Sequence, residues 1–159
     1  MVSVIILSYN TAELLSKCLK ALYTQVKDVS YEVIVVDNAS IDSSVQLVKK
    51  NFRDVQLIES KENLGFAKGV NLGAKYAKGE YLLFLNSDTE LESGFAQMIG
   101  ESAKQKDAGI IGGKFENADG TDQPSTGSFY NLFTVIKLLV FGERLKAKKA
   151  NGNSTQAVD

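Results

Sequence analysis

Four short runs of apolar, mostly β-branched residues recur along the chain, at residues 2–7, 31–36, 55–58 and 81–85. The first, second and fourth are almost continuously hydrophobic. That pattern belongs to strands covered on both faces, as in a parallel sheet, rather than to strands with one wet face. A fifth, shorter run at Ile110-Ile111 with its flanks reads as one more strand. Between the runs the period changes. In residues 11–23, Leu14, Leu15, Cys18, Leu19, Leu22 and Tyr23 recur at helical spacing, with Asn10 placed to cap the helix and Glu13 as its capping-box partner. Residues 43–50, 66–77 and 94–103 read as further helices, the last following Glu90 and Glu92, acids that suit a helix start. Four strand–helix alternations predict an α/β fold, an open and mostly parallel sheet with right-handed crossovers and helices on both faces.

Polar residues gather where the apolar runs stop. The first run ends in Ser8-Tyr9-Asn10, the second in Asp37-Asn38-Ala39-Ser40, and the fourth in Asn86-Ser87-Asp88-Thr89; Ser60-Lys61-Glu62-Asn63 follows the third. In a parallel sheet these carboxyl ends share one edge, the edge where open α/β folds bind ligands. Four small-polar and carboxylate clusters there read as a site more than as chain punctuation.

Past Gly112-Gly113 the character changes. Asp119-Gly120 is a strong turn dipeptide, and the only proline, Pro124, sits in a polar stretch. Residues 129–141 then bring Leu132, Phe133, Val135, Ile136, Leu138, Leu139, Val140 and Phe141, followed by Arg144, Lys146, Lys148 and Lys149. The segment is too short and interrupted to span a bilayer. It reads either as a helix covering the sheet's far edge or as an amphipathic segment in peripheral contact with a membrane. The organisation expected is an α/β core at 1–113, a turn with an apolar and basic helical segment at 114–150, and a polar linker at 151–159. The restart at Ala157-Val158-Asp159 reads as the beginning of a missing C-terminal portion.

With 159 residues the chain has enough apolar sequence for one core. Its net charge of −1 gives no global field to draw in nucleic acid. Histidine is absent, which removes a Ser-His-Asp or Cys-His site and any His-ligated zinc from this chain. The lone Cys18, on the apolar stripe of its helix, reads as a small buried hydrophobe. Residues 1–10 lack the basic n-region of a signal peptide, which points to the cytoplasm.

Asp88 is the first candidate for chemistry. An acid at the exposed carboxyl end of a buried strand can hold Mg²⁺ or Mn²⁺, which take few protein oxygens and fill the rest with water and phosphate. The plainer alternative is a turn or cap residue. A carboxylate at Asp37 can accept hydrogen bonds from a base imide or ribose hydroxyls, or it can cap the following helix. Tyr9 offers an aromatic face to a base, or is simply a rim aromatic. Asn63-Leu64-Gly65-Phe66-Ala67 opens a helix whose amides suit phosphate, although it has neither P-loop nor dinucleotide-fingerprint spacing.

Together these segments resemble the family 2 glycosyltransferases, in particular a bacterial rhamnosyltransferase-like branch. The matching pieces are Val4 through Asn10, Val35-Val36-Asp37-Asn38-Ala39-Ser40 with Asp42-Ser43, Asn63 through Ala67 with Gly69 and Asn71, and Gly79-Glu80-Tyr81 through Leu85-Asn86-Ser87-Asp88-Thr89. The resemblance implies a GT-A fold, truncated after its donor-binding half, and an inverting transfer of sugar from a nucleoside-diphosphate donor to a hydroxyl acceptor. It implies nucleotide-sugar contacts from Ser8, Tyr9, Asn10, Asp37, Asn38, Asn63, Gly65, Asn71, Asn86 and Ser87. Asn86-Ser87-Asp88 would stand in the place of the D-x-D metal motif, with Asp88 holding Mg²⁺ or Mn²⁺. The branch tilts the donor towards a dTDP- or UDP-sugar and the acceptor towards a glycan on a lipid carrier, in cell-surface polysaccharide synthesis. No catalytic residue is assigned, because nothing from Lys114 to Asp159 matches the downstream acidic motif that supplies the base. Another reading is a non-catalytic nucleotide-sugar-binding or assembly module. A nucleotidyltransferase would need a glycine-rich, basic loop after the first strand, which residues 8–13 lack.

Overall fold

Burial decides which apolar runs become strands. β1 (Val2–Ser8), β2 (Tyr31–Asp37), β3 (Gln56–Glu59) and β4 (Tyr81–Asn86) pair in parallel in the order β3-β2-β1-β4. In β1 and β2, Val4, Ile5, Ile6, Val33, Ile34, Val35 and Val36 are all buried, because both faces of the sheet are covered. On one face α1 (Ala12–Gln25) and α2 (Ser44–Asn51) set Leu15, Cys18, Leu19, Leu22 and Val48 against Val4, Ile6, Val33, Val35 and Leu85. On the other, α3 (Gly65–Ala74) packs on Ile5, Ile34 and Val36. Each such buried side chain contributes about 1.5–3 kcal/mol. Helices therefore lie on both faces, as the alternation predicts, and Cys18 is a buried core residue.

The approach of α3 depends on glycine. A Cβ at Gly73 would lie 2.6 Å from Ile5 Cγ2 and 3.0 Å from Val36 Cγ2, and one at Gly69 would lie 2.5 Å from Leu7 Cδ1. Both positions let the helix backbone sit directly on β1 and β2.

This computed structural model describes residues 1–27, 29–89, 91, 95–102, 104, 105, 107, 109–113, 115–117 and 119–123. The chain divides into two compact units, Met1–Gly100 and Glu101–Asp159. α4 (Phe95–Ser102) places Met98 and Ile99 against the α1 face of the core. In the second unit β5 (Phe115–Glu116) and β6 (Asp122–Gln123) make an antiparallel hairpin, its turn using Gly120 at φ 79. Pro124, the apolar segment at 129–141, the basic run Arg144 to Lys149, the linker and Val158-Asp159 lie outside the described residues.

Two local expectations are corrected. Ile110 and Ile111 form no strand; they are 95% and 45% exposed. Two β-branched residues between Gly109 and Gly112 are too short a run to pair or to bury. Asn10 does not cap α1 either. It lies in the left-handed region at φ 54, Thr11 takes the N-cap position but turns its hydroxyl to Ser8 Oγ at 3.0 Å and not to a helix amide, and the first helical amide finds its acceptor in another loop.

Candidate functional site at the carboxyl edge of the sheet

The parallel register brings the ends of the strands together. Ser8 stands opposite Asp37, Asp37 opposite Glu59, and Leu7 opposite Asn86. The polar clusters that follow β1, β2 and β4 thus share one edge. Among the described residues, no helix is long and apolar enough to cross a membrane.

The loops after β1 and β2 are tied to each other. The Asn38 amide donates to the Ser8 carbonyl at 2.8 Å, continuing the ladder one residue past the strands. The Asn10 amide donates to Ser40 Oγ at 2.9 Å, and Asn10 Oδ1 accepts from the Ile41 amide at 2.8 Å. Behind them Asp42 serves two helices at once. Its Oδ2 accepts from the Ala12 amide at 3.0 Å, and its Oδ1 accepts from the Ser44 amide at 2.9 Å and the Ser44 hydroxyl at 2.6 Å. An acid at two helix N-termini also meets the positive end of both helix dipoles. Burial pushes the Asp42 carboxyl upward, and the hydrogen bonds from Ser44 and Ala12 outweigh it, leaving the group below its ordinary value.

The loop before α3 is tied in by Asn38, which is buried. Its Nδ2 donates to Asn63 Oδ1 at 2.8 Å and its Oδ1 accepts from the Leu64 amide at 2.8 Å, while Asn63 Oδ1 also accepts from the Gly65 amide at 2.9 Å. Gly65, at φ 72, makes the turn into α3. Asn38 is thus spent on holding three loops together, with Asn63 as its partner.

Asp37 is different. It is only 3% exposed, and its Oδ2 accepts from the Ser40 amide at 3.0 Å. Its Oδ1 is buried with no hydrogen-bond partner. A buried acceptor left so costs on the order of 1–3 kcal/mol. Tyr9, 49% exposed, stands on the rim at the end of β1.

At β4 the edge is open. Ser87 is buried, whereas Asn86 and Asp88 are exposed. The Asn86 carbonyl accepts from the Thr89 amide at 3.2 Å, closing a tight turn that carries Asp88. Among the described residues no group of three or more acidic, cysteine or histidine side chains could hold a metal. An exposed carboxylate such as Asp88 can give one oxygen to a hard divalent cation that takes its other ligands from phosphate and water.

Of the residues named from sequence, the structure joins Ser8, Asn10, Asp37, Asn38, Asn63 and Gly65 through these loops, and sets Tyr9, Asn86, Ser87 and Asp88 on the same edge. Asn71 is not joined to them; it lies exposed on α3, away from the sheet. Sequence reasoning gave no role to Ser40 or Asp42. The signal for Asp42 was local, an acid just before the Ser43-Ser44 helix start, and its bond to Ala12 bridges 30 residues.

An open parallel sheet with a polar, cross-linked carboxyl edge defines a ligand-binding α/β domain. The chain belongs to glycosyl transferase family 2, whose sequence model matches residues 3–156. It is 34% identical over 130 residues to the poly(ribitol-phosphate) beta-glucosyltransferase of Bacillus spizizenii, a match covering 79% of this chain and 20% of that protein. The fold is GT-A. TarS 1-349 from S. aureus, solved in complex with UDP, superposes with TM-score 0.59 at 28% identity, over 65% of this chain and 32% of that one. The mannosyltransferase PcManGT from Pyrobaculum calidifontis, solved with GDP-Man and Mn2+, matches with TM-score 0.50 at 33% identity, over 55% and 27%. The matches span from about a fifth to less than half the length of the curated relatives.

Proposed function

We propose that the chain is the donor-binding part of an inverting glycosyltransferase that uses a UDP- or dTDP-sugar. The observation that carries this is Asp37. Its Oδ2 is occupied by the Ser40 amide and its Oδ1 is buried and unpartnered. One free acceptor matches the single imide N–H of uracil or thymine; guanine presents two adjacent donors and suits a carboxylate with both oxygens free. Tyr9 offers its face to the same base. The loop carrying Asn63 and Gly65 and the first α3 amides would receive the diphosphate in this reading.

Asp88 would hold Mg²⁺ or Mn²⁺ against that diphosphate, where a divalent cation neutralises charge on the departing group. Asn86 and Ser87 flank it. Asn71 is retained in this reading as a lining residue of the sugar end. The PcManGT complex, with its bound Mn2+, supports a metal in this fold. In the reaction proposed, the acceptor hydroxyl attacks the anomeric carbon once, with inversion, and the nucleoside diphosphate leaves. The carboxylate base for the acceptor is assigned to no residue of this chain. The acceptor proposed is a hydroxyl of a cell-surface glycan on a lipid carrier, handled at the cytoplasmic face of the membrane. The poly(ribitol-phosphate) relative supports a polymer acceptor. The division into a 1–113 core, a 114–150 segment and a 151–159 linker remains part of this proposal.

Calorimetric titration of the chain with UDP, with and without Mn²⁺, tests the reading. Mn²⁺ should tighten UDP binding at least about tenfold, and Asp88→Ala should erase that gain. A Mn²⁺ effect that survives Asp88→Ala would remove Asp88 from the metal site.

A further inference from the structure

The polar groups of the β1 and β2 loops that sequence reasoning directs at a ligand are largely turned on each other. Asn10 uses its amide on Ser40 Oγ and its side-chain oxygen on the Ile41 amide. Ser40 in turn gives its own amide to Asp37 Oδ2. Asp42 anchors the same pair of loops from behind, through the Ala12 and Ser44 amides. The result is a continuous chain of hydrogen bonds from the residue after Tyr9 to the buried carboxylate. It decides which Asp37 oxygen is consumed within the protein and which is left over. Asn10 and Ala39 hold left-handed backbone at φ 54 and 64 on either side of this chain. Such strain persists only where surrounding bonds over-determine it.

We propose that Asn10, backed by Asp42, is a positioning residue for donor-base recognition: its side-chain oxygen holds the Ile41 amide, and with it the Ser40–Ile41 peptide, so that Ser40 keeps its own amide on Asp37 Oδ2 and Oδ1 alone is presented. This rests on the donor reading of Asp37 given above. Asn10 acts through Asp37 and not by touching the donor, so its effect on binding disappears when Asp37 no longer recognises the base.

The test is UDP titration in Mn²⁺ on the full chain and on Asn10→Gly, Asn10→Asp, Asp37→Asn and the double variant Asn10→Gly/Asp37→Asn. Glycine keeps the left-handed backbone and deletes only the clamp oxygen, so the unfolding midpoint should stay close to wild type. Asn10→Gly should weaken UDP binding about threefold to tenfold, the loss of one solvent-exposed hydrogen bond that orders the site. Asn10→Asp, which keeps the acceptor, should restore most of it. In the Asp37→Asn background, adding Asn10→Gly should change the dissociation constant less than about twofold. A fully additive loss in the double variant, or wild-type affinity in Asn10→Gly when Asp37→Asn is weakened, overturns the positioning role and leaves the donor reading standing. Wild-type affinity in Asp37→Asn removes the donor reading, and the inference with it.

Discussion

The two sides of the carboxyl edge are built on different principles. On the β1–β2 side Ser8, Asn10, Asn38, Ser40 and Asp42 bond to one another or to neighbouring backbone, leaving, among the described residues, a single buried side-chain oxygen, Asp37 Oδ1, unanswered. On the β4 side Asn86 and Asp88 are exposed, and Leu82 and Phe84, in register with Ser3 and Ile5, are 45% and 50% exposed. α3 covers β1 and β2 on that face. The contrast teaches a division of labour. On the proposed reading, a self-satisfied frame would discriminate between bases through the fixed place and direction of that one oxygen. On the same reading, an open carboxylate would discriminate little and draw its affinity from a cation and phosphate that arrive together.

Stability measurements should separate the two sides. Gly73→Ala forces a Cβ into Ile5 and Val36 and should destabilise the fold by about 2 kcal/mol, an overpacking cost, read as a lower denaturant midpoint. An unchanged midpoint would mean that α3 sits less tightly on the clamped side. Asp42→Ala removes the acceptor for the first amide of two helices and should cost about 1–2 kcal/mol. The same carboxylate gives a pH signature. Its folded pKa is depressed, so its contribution is complete above the ordinary aspartate range and is lost as pH falls through the lowered folded value. The difference in stability between wild type and Asp42→Ala should therefore shrink on acidification. A difference that grew on acidification would refute the clamp.

These cross-loop bonds mark where sequence reading stops. The order of β1 to β4 and α1 to α4 was legible because continuous Val and Ile runs alternate with helical stripes such as Leu15, Leu19 and Leu22. The shared edge followed from parallel topology. Asn10 misled, since a polar residue before a helix is usually its cap; here its side chain reaches Ile41, 31 positions away. Asn38 carried no local sign of its tie to Asn63 and Leu64. Ile110 and Ile111 had the composition of a strand without its length.

The smaller effects sharpen the comparison further. Ala39→Gly relieves a left-handed alanine and should stabilise the clamped side by up to about 1 kcal/mol, less the entropy that glycine adds to the unfolded chain. Destabilisation would mean that the alanine methyl is packed usefully. Asp88→Ala, on the open side, should shift stability by no more than about 0.5 kcal/mol, even though it erases the Mn²⁺ effect on binding. A large loss of stability would show that Asp88 is a structural turn residue instead.

The most direct measurement is a titration of wild type and Asp37→Asn with UDP, dTDP and GDP in the presence of Mn²⁺. The account predicts that UDP or dTDP binds at least about tenfold tighter than GDP, and that Asp37→Asn collapses this preference. GDP binding as tightly as both pyrimidine nucleotides, or a pyrimidine preference that survives Asp37→Asn, would contradict it.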